Sequence, residues 1–132
     1  MAAGPAVDPA AFQVAAVVAG PAIAATRVAS IPASVDAALG RAMHIEGVPQ
    51  SWQPALRFIM AQESAGKVDA RNPVHSARGL FQLTAANYHL NPNGVLSFGN
   101  AVEEAQGGIR YIRQRYGTAD NAVEFRQQHR WY

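Results

Sequence analysis

Three stretches of this chain carry apolar residues at spacings of three and four, and a long segment broken by glycine and proline separates the second from the third. The first set is Val35, Ala38, Leu39, Ala42 and Met43. The second is Leu56, Ile59 and Met60. The third is Val102, Ala105, Ile109, Ile112 and Tyr116. Such spacings put each set on one face of a helix. There is no internal repeat and no strand–helix–strand alternation, so a wound parallel sheet is excluded. The pattern predicts a mainly α fold with a loop-rich centre, in which any β-structure is short.

Punctuation sets the boundaries. Ser34 is a suitable N-cap for the first helix and Gly47 can end it. Ser51 can cap the second, with Pro54 tolerated in its first turn, and Ser64-Ala65-Gly66 ends it. Residues 65 to 79 read as irregular, with Gly66, Asn72-Pro73 and Gly79 as breaks. Thr84 to Tyr88 reads as a brief helix and Asn91-Pro92-Asn93-Gly94 as a turn. Asn100 with Glu103 fits a capping pattern that opens the third long helix, closed by Gly117. Asp120 can cap a last helix through Val123 and Phe125.

The chain of 132 residues favours one folded unit, expected over residues 34–132. Residues 1–33 differ: they are rich in Ala, Val and Pro, with Asp8 and Arg27 as their charges. Their apolar run from Ala10 to Ala25 is short for a membrane span and is broken by Gly20-Pro21. No basic residue precedes that run, which argues against a signal peptide. A linker or packed helix, an export segment and a membrane-interacting segment all remain open for it.

Composition narrows the function. At 49% hydrophobic and 15% charged, the chain can build a core. Its formal charge of +2 comes with scattered arginines, too thin for a nucleic-acid stripe, so no nucleic-acid partner is expected. A mildly basic chain would suit an anionic polymer such as a cell wall. There is no cysteine, which removes thiol catalysis. His44, His75, His89 and His129 show no short ligand spacing, so neither a metal nor another cofactor is expected.

Glu63 follows the second apolar stripe on the same face. A carboxylate there faces the interior, where its charged form is poorly solvated, and such groups tend to keep a proton near neutral pH. A general acid needs that proton. An ordinary capping or ion-paired helix carboxylate fits the periodicity as well. The segment Ser76-Ala77-Arg78-Gly79-Leu80-Phe81-Gln82 lies downstream, with Gly79 16 residues after Glu63.

Here the chain resembles the lysozyme-like lytic transglycosylase (SLT) family. The resemblance rests on Glu63-Ser64-Ala65-Gly66 with a slightly late Asn72-Pro73, and on Ser76-x-x-Gly79-Leu80-Phe81-Gln82. It extends through Ala105-Gln106-Gly107-Gly108-Ile109-Arg110-Tyr111-Ile112 and Arg115-Tyr116-Gly117, and covers roughly residues 36–132. Terminal Trp131-Tyr132 is similar to the ending of such modules in actinobacterial secreted proteins and phage tail proteins. The third motif departs from the family: Asn121-Ala122-Val123-Glu124-Phe125-Arg126 stands where Ala-Tyr-Asn-Ala-Gly is common. The tyrosine that supports the catalytic acid is therefore not located, and Tyr111, Tyr116 or Tyr132 are the substitutes.

The resemblance implies a goose-type lysozyme-like helical domain, working as a monomer on peptidoglycan outside the cytoplasm or on a phage particle. It implies that Glu63 protonates the bond between N-acetylmuramic acid and N-acetylglucosamine, then takes the proton of the muramic acid's own C6 hydroxyl. A 1,6-anhydro product results, with no second enzyme carboxylate. Ser64, Ser76, Gly79, Gln82 and Tyr111 are the implied substrate-binding residues. Asp69 is the candidate second carboxylate of a hydrolytic muramidase, although loop aspartates usually serve turns. Glu103, Glu104 and Glu124 read as solvated helix charges. Leu80, Phe81, Trp52, Trp131 and Tyr132 read as packing residues, and His75 and Arg78 flank the loop. A wall-binding or virion structural module without catalysis is the reading of another class.

Overall fold

The computed structural model describes residues 31–129. Residues 1–30 and 130–132 lie outside them, and with them the expectations for the N-terminal segment and for Trp131 and Tyr132. The order is α1 (Ala33–Glu46), α2 (Gln53–Ser64), α3 (Ala101–Tyr116) and α4 (Ala119–His129), with 3₁₀ turns at Gln50–Trp52, Ala85–Leu90 and Gly94–Ser97. Among the described residues there is no strand. Two isolated antiparallel bridges, Arg71 with Arg78 and Arg78 with Leu83, are the β-structure of the centre. No helix among the described residues is long and apolar enough to cross a membrane.

The helix stripes are buried as their spacing requires. Val35, Ala38, Leu39, Ala42 and Met43 of α1 face the core, as do Leu56, Ile59 and Met60 of α2. On α3, Ala105, Ile109 and Ile112 are buried, while Val102 and Tyr116 are half-buried. Gly47 ends α1 in the left-handed region (φ 70°), with its N–H and that of Val48 returning to the last-turn carbonyls. Asn100 accepts the Glu103 N–H at 3.1 Å and opens α3 as the capping pattern predicts.

The other three caps are corrected. Ser34 is already inside α1: the chain turns helical directly after Pro32, whose carbonyl takes the N–H of Val35 and of Asp36. Ser51 sits in the 3₁₀ turn that runs without a break into α2, so no side-chain cap forms there. Asp120 is in the first turn of α4, and Thr118 Oγ1 accepts the Asn121 N–H at 3.1 Å in its place. The brief central helix is a 3₁₀ turn one residue later than predicted, and its Ala85 N–H is accepted by Ser76 Oγ.

Helices α1 and α3 share the most extensive contact. Glu46, at the end of α1, locks it. Its carboxylate accepts from Gln106 Nε2 (2.8 Å), Arg110 Nε (3.0 Å) and Arg113 Nη2 (2.8 Å). Burial alone would raise the Glu46 pKa, but the hydrogen bonds from Arg110, Gln106 and Arg113 hold it below the usual carboxylate value. A depressed carboxylate contributes stability above its unfolded pKa and loses it as pH falls through its folded pKa. Glu46→Gln is therefore expected to cost on the order of 1 kcal/mol at neutral pH, a modest figure because water screens the part-exposed arginines. The gap between parent and variant should shrink on acidification below pH ~4.5. Thermal melts across that range check it; a gap that does not change with pH excludes this linkage.

Candidate active site

The last turn of α2 carries the site. Its face delivers Leu56, Ile59, Met60 and then Glu63, which is only 9% exposed. Both Glu63 carboxylate oxygens are shut off from solvent. The helix ends because Ala65 (φ 53°) and Gly66 (φ 76°) both turn left-handed. Gly66 suits this bend twice over, since a Cβ there would lie 3.0 Å from Pro32. The chain then enters the irregular segment.

Ser64 fastens that segment to the helix. Its hydroxyl lies 2.8 Å from the Leu80 carbonyl and 3.2 Å from that of Met60, and it accepts the Gly66 N–H. The 16-residue spacing seen in the sequence thus has a physical basis: Glu63-Ser64 and Gly79-Leu80 are held together by this hydroxyl. Gly79 has φ 86°, and a Cβ on it would meet Phe98 at 2.9 Å and Glu104 Oε1 at 3.0 Å. Close approach is the reason for glycine there. Leu80 and Phe81 are core, as expected.

Gln82 is 4% exposed, and its amide nitrogen donates to the carbonyls of Ala70 (3.2 Å) and Gly79 (3.1 Å). Its donor side ties the loop to itself. Ser76 is exposed; its Oγ accepts from Ala85, and its carbonyl accepts the Tyr88 hydroxyl. Asp69 is engaged by Arg78 Nε at 2.7 Å and Arg71 Nε at 3.1 Å. Those hydrogen bonds, from Arg78 first, lower its pKa, so it stays ionised and paired. Arg78 also lies over the Phe98 ring, so it is a structural cation rather than a solvated one.

The largest correction concerns Glu104. It is not a solvated helix charge but 2% exposed. Its oxygens accept the N–H groups of Leu80 (2.8 Å), Gly99 (2.7 Å) and Asp69 (3.0 and 3.2 Å). Burial raises its pKa, against the backbone hydrogen bonds from Gly99, Leu80 and Asp69.

Tyr111 is 4% exposed and packs edge-on against Tyr116, with ring centroids 6.3 Å apart. Burial foremost raises the Tyr116 pKa; the Glu63 charge adds to this, while hydrogen bonds with Arg115 and Tyr111 oppose it. An open hollow of about 490 Å³ lined by Pro54, Phe58, Asp120 and Gln127 lies along the first half of α2 and includes none of the residues predicted for the site.

The family model described as "Transglycosylase SLT domain" matches residues 43–131. An uncharacterized protein of Bacillus subtilis (strain 168), YqbO, is 33% identical over 87 residues, covering 59% of this chain and 5% of that protein. The chain therefore spans a small fraction of that relative's length. No solved structure gives a significant match.

Proposed function

Because the chain belongs to the transglycosylase SLT domain family, whose members act on peptidoglycan, we propose that it is a lytic transglycosylase with Glu63 as its sole acid and base. The buried Glu63 at the head of the Ser64–Leu80 clasp is the observation that carries this reading. Its neighbours support the single-carboxylate route. Asp69 is committed to two arginines, and Glu104 to three backbone amides.

In this mechanism Glu63 gives its proton to the oxygen between N-acetylmuramic acid and N-acetylglucosamine, and the C1–O bond breaks. The muramic acid's acetamido group shields the oxocarbenium-like C1, as substrate-assisted routes do. Glu63, now a carboxylate, takes the proton of the C6 hydroxyl as O6 bonds to C1. The enzyme returns to its starting state and water is not consumed. Tyr111 and Tyr116, packed edge-on against each other, are the aromatic candidates for supporting the acid. Ser76 keeps a hydroxyl proton to donate to the glycan or its peptide. Gly79 and Gln82 shape the loop on which substrate rests. The catalytic unit is residues 34–132, with its working site outside the cytoplasm, where its polymer lies.

Mass analysis of digested peptidoglycan tests this. The expected ends are anhydro ends, one water lighter than reducing ends. Reducing ends alone would replace the reading with a hydrolytic muramidase on the same scaffold. No cleavage by the parent would leave a binding module.

A further inference from the structure

We propose that Glu104 is the positioning residue of the reaction, holding the Leu80 backbone so that Ser64, and with it Glu63, meets the glycan in one fixed geometry. The inference rests on the transglycosylase reading above and adds a residue to it. Its ground is a convergence of loops. Asp69, Leu80 and Gly99 lie 35, 24 and 5 residues from Glu104, and all three aim their N–H groups at its carboxylate. The segment they come from has no sheet to order it, only isolated bridges. One buried carboxylate supplies the order instead.

Chemistry explains why the residue is a glutamate. An ionised carboxylate only accepts, and offers about four lone-pair sites to converging donors. An amide of the same shape would turn its own NH₂ against one of those N–H groups. The charge stands in the first turn of α3, where the helix N-terminus favours an anion. The loop makes room for it: a Cβ at Gly79 would sit 3.0 Å from Oε1. Glycine at 79 and glutamate at 104 therefore form one device.

The path from Glu104 to the acid is short. Its Oε1 takes the Leu80 N–H at 2.8 Å, and Ser64 Oγ lies 2.8 Å from the carbonyl of that same residue. Ser64 follows Glu63 directly. The lone pairs of Glu104 that face the loop are filled by amides, so it takes no proton from substrate; it acts through Leu80 and Ser64.

The test uses the full chain, with soluble peptidoglycan oligosaccharides as substrate. Glu104→Gln is expected to lower kcat on the order of 10²-fold, the scale of a misplaced reacting group, while KM changes little. Ser64→Ala is expected to lower kcat as well. The double variant should lose less than the product of the two single losses, because both act through the backbone of Leu80. Multiplicative losses, or full kcat in Glu104→Gln, overturn the inference while leaving the transglycosylase reading intact. A parent without turnover overturns that reading instead. If Glu104→Gln is unfolded, hydrogen exchange on the active parent decides. The Asp69, Leu80 and Gly99 amides should open together as one unit. Independent opening of Leu80 excludes the shared clasp.

Discussion

Glu63→Gln should lose roughly 10³-fold or more in peptidoglycan cleavage while keeping its fold. One well-placed proton donor contributes about 10²- to 10⁴-fold. Here the same group is asked to act twice, first giving a proton and then taking one, so the loss belongs at the upper end of that range. Glutamine has the same shape and cannot release a proton at any working pH. The side chain is buried, with both oxygens shielded from solvent, and a neutral amide in its place never has to ionise in that poorly solvated position. The melting temperature of the variant should therefore equal or exceed that of the parent, the usual trade between stability and a functional carboxylate. Turnover and thermal melts are measured on the same preparation. Parent-level clearing of cell walls by Glu63→Gln would end the catalytic reading. A large drop in melting temperature would instead make Glu63 a structural group.

The second large effect runs against helix propensity. Gly107 and Gly108 lie inside α3, where alanine is ordinarily favoured by about 1 kcal/mol. Gly108→Ala should nevertheless destabilise the protein by about 1–3 kcal/mol, the range for overpacking a core. A Cβ at 108 would lie 2.3 Å from ring atoms of Phe81, which is 1% exposed and has core on its other sides. At 107 the clash is with buried Asn91, its Oδ1 1.7 Å from the added carbon. Gly40, in α1, is the control. Nothing lies within 4 Å of a Cβ there, so Gly40→Ala should stabilise by up to about 1 kcal/mol. For a domain of this size each kcal/mol moves the melting temperature by roughly 4–8 °C, so the two substitutions separate clearly in opposite directions. Phe81 is flanked by Leu80 and Gln82, so Gly108→Ala should also lower turnover. Equal melting temperatures for the two alanine variants would refute the close packing of α3 on the loop.

Much of the helical frame was readable in advance because it rests on local rules. A stripe at spacings of three and four can be buried only as a helix face, so Leu39, Met43, Leu56, Ile59, Ile109 and Ile112 all entered the core. Gly47 and Gly117 end helices because the chain must turn left-handed there, and Asn100 caps through a partner three residues on. Capping was less legible where other segments supplied the acceptor. Ser34 and Ser51 have suitable side chains, yet prolines at 32 and 49 had already set the chain on its path.

The family pair, Glu63-Ser64 with Gly79-Leu80-Phe81-Gln82, was legible as a pattern, and its spacing is the reach of one hydroxyl from α2 to the loop. The partners of the polar groups were not legible. Gln82 and Ser76 have side chains suited to sugar, and the fold gives much of their hydrogen bonding to the loop itself. Glu104 looks like any helix charge in the sequence, yet it is buried and bonded to three backbone amides.

By itself, then, the sequence determined the helices, the buried faces of the first three and the pairing of Glu63 with its loop motif. Each of those depends on residues a few positions apart, or on a motif whose order in the chain is its signature. Only the tertiary structure decided that Glu104 is buried, that Asp69 is spent on two arginines and that α3 needs two glycines. Those outcomes depend on groups brought close from far along the chain, as when one carboxylate meets amides 24 and 35 residues away. No local period encodes such a meeting.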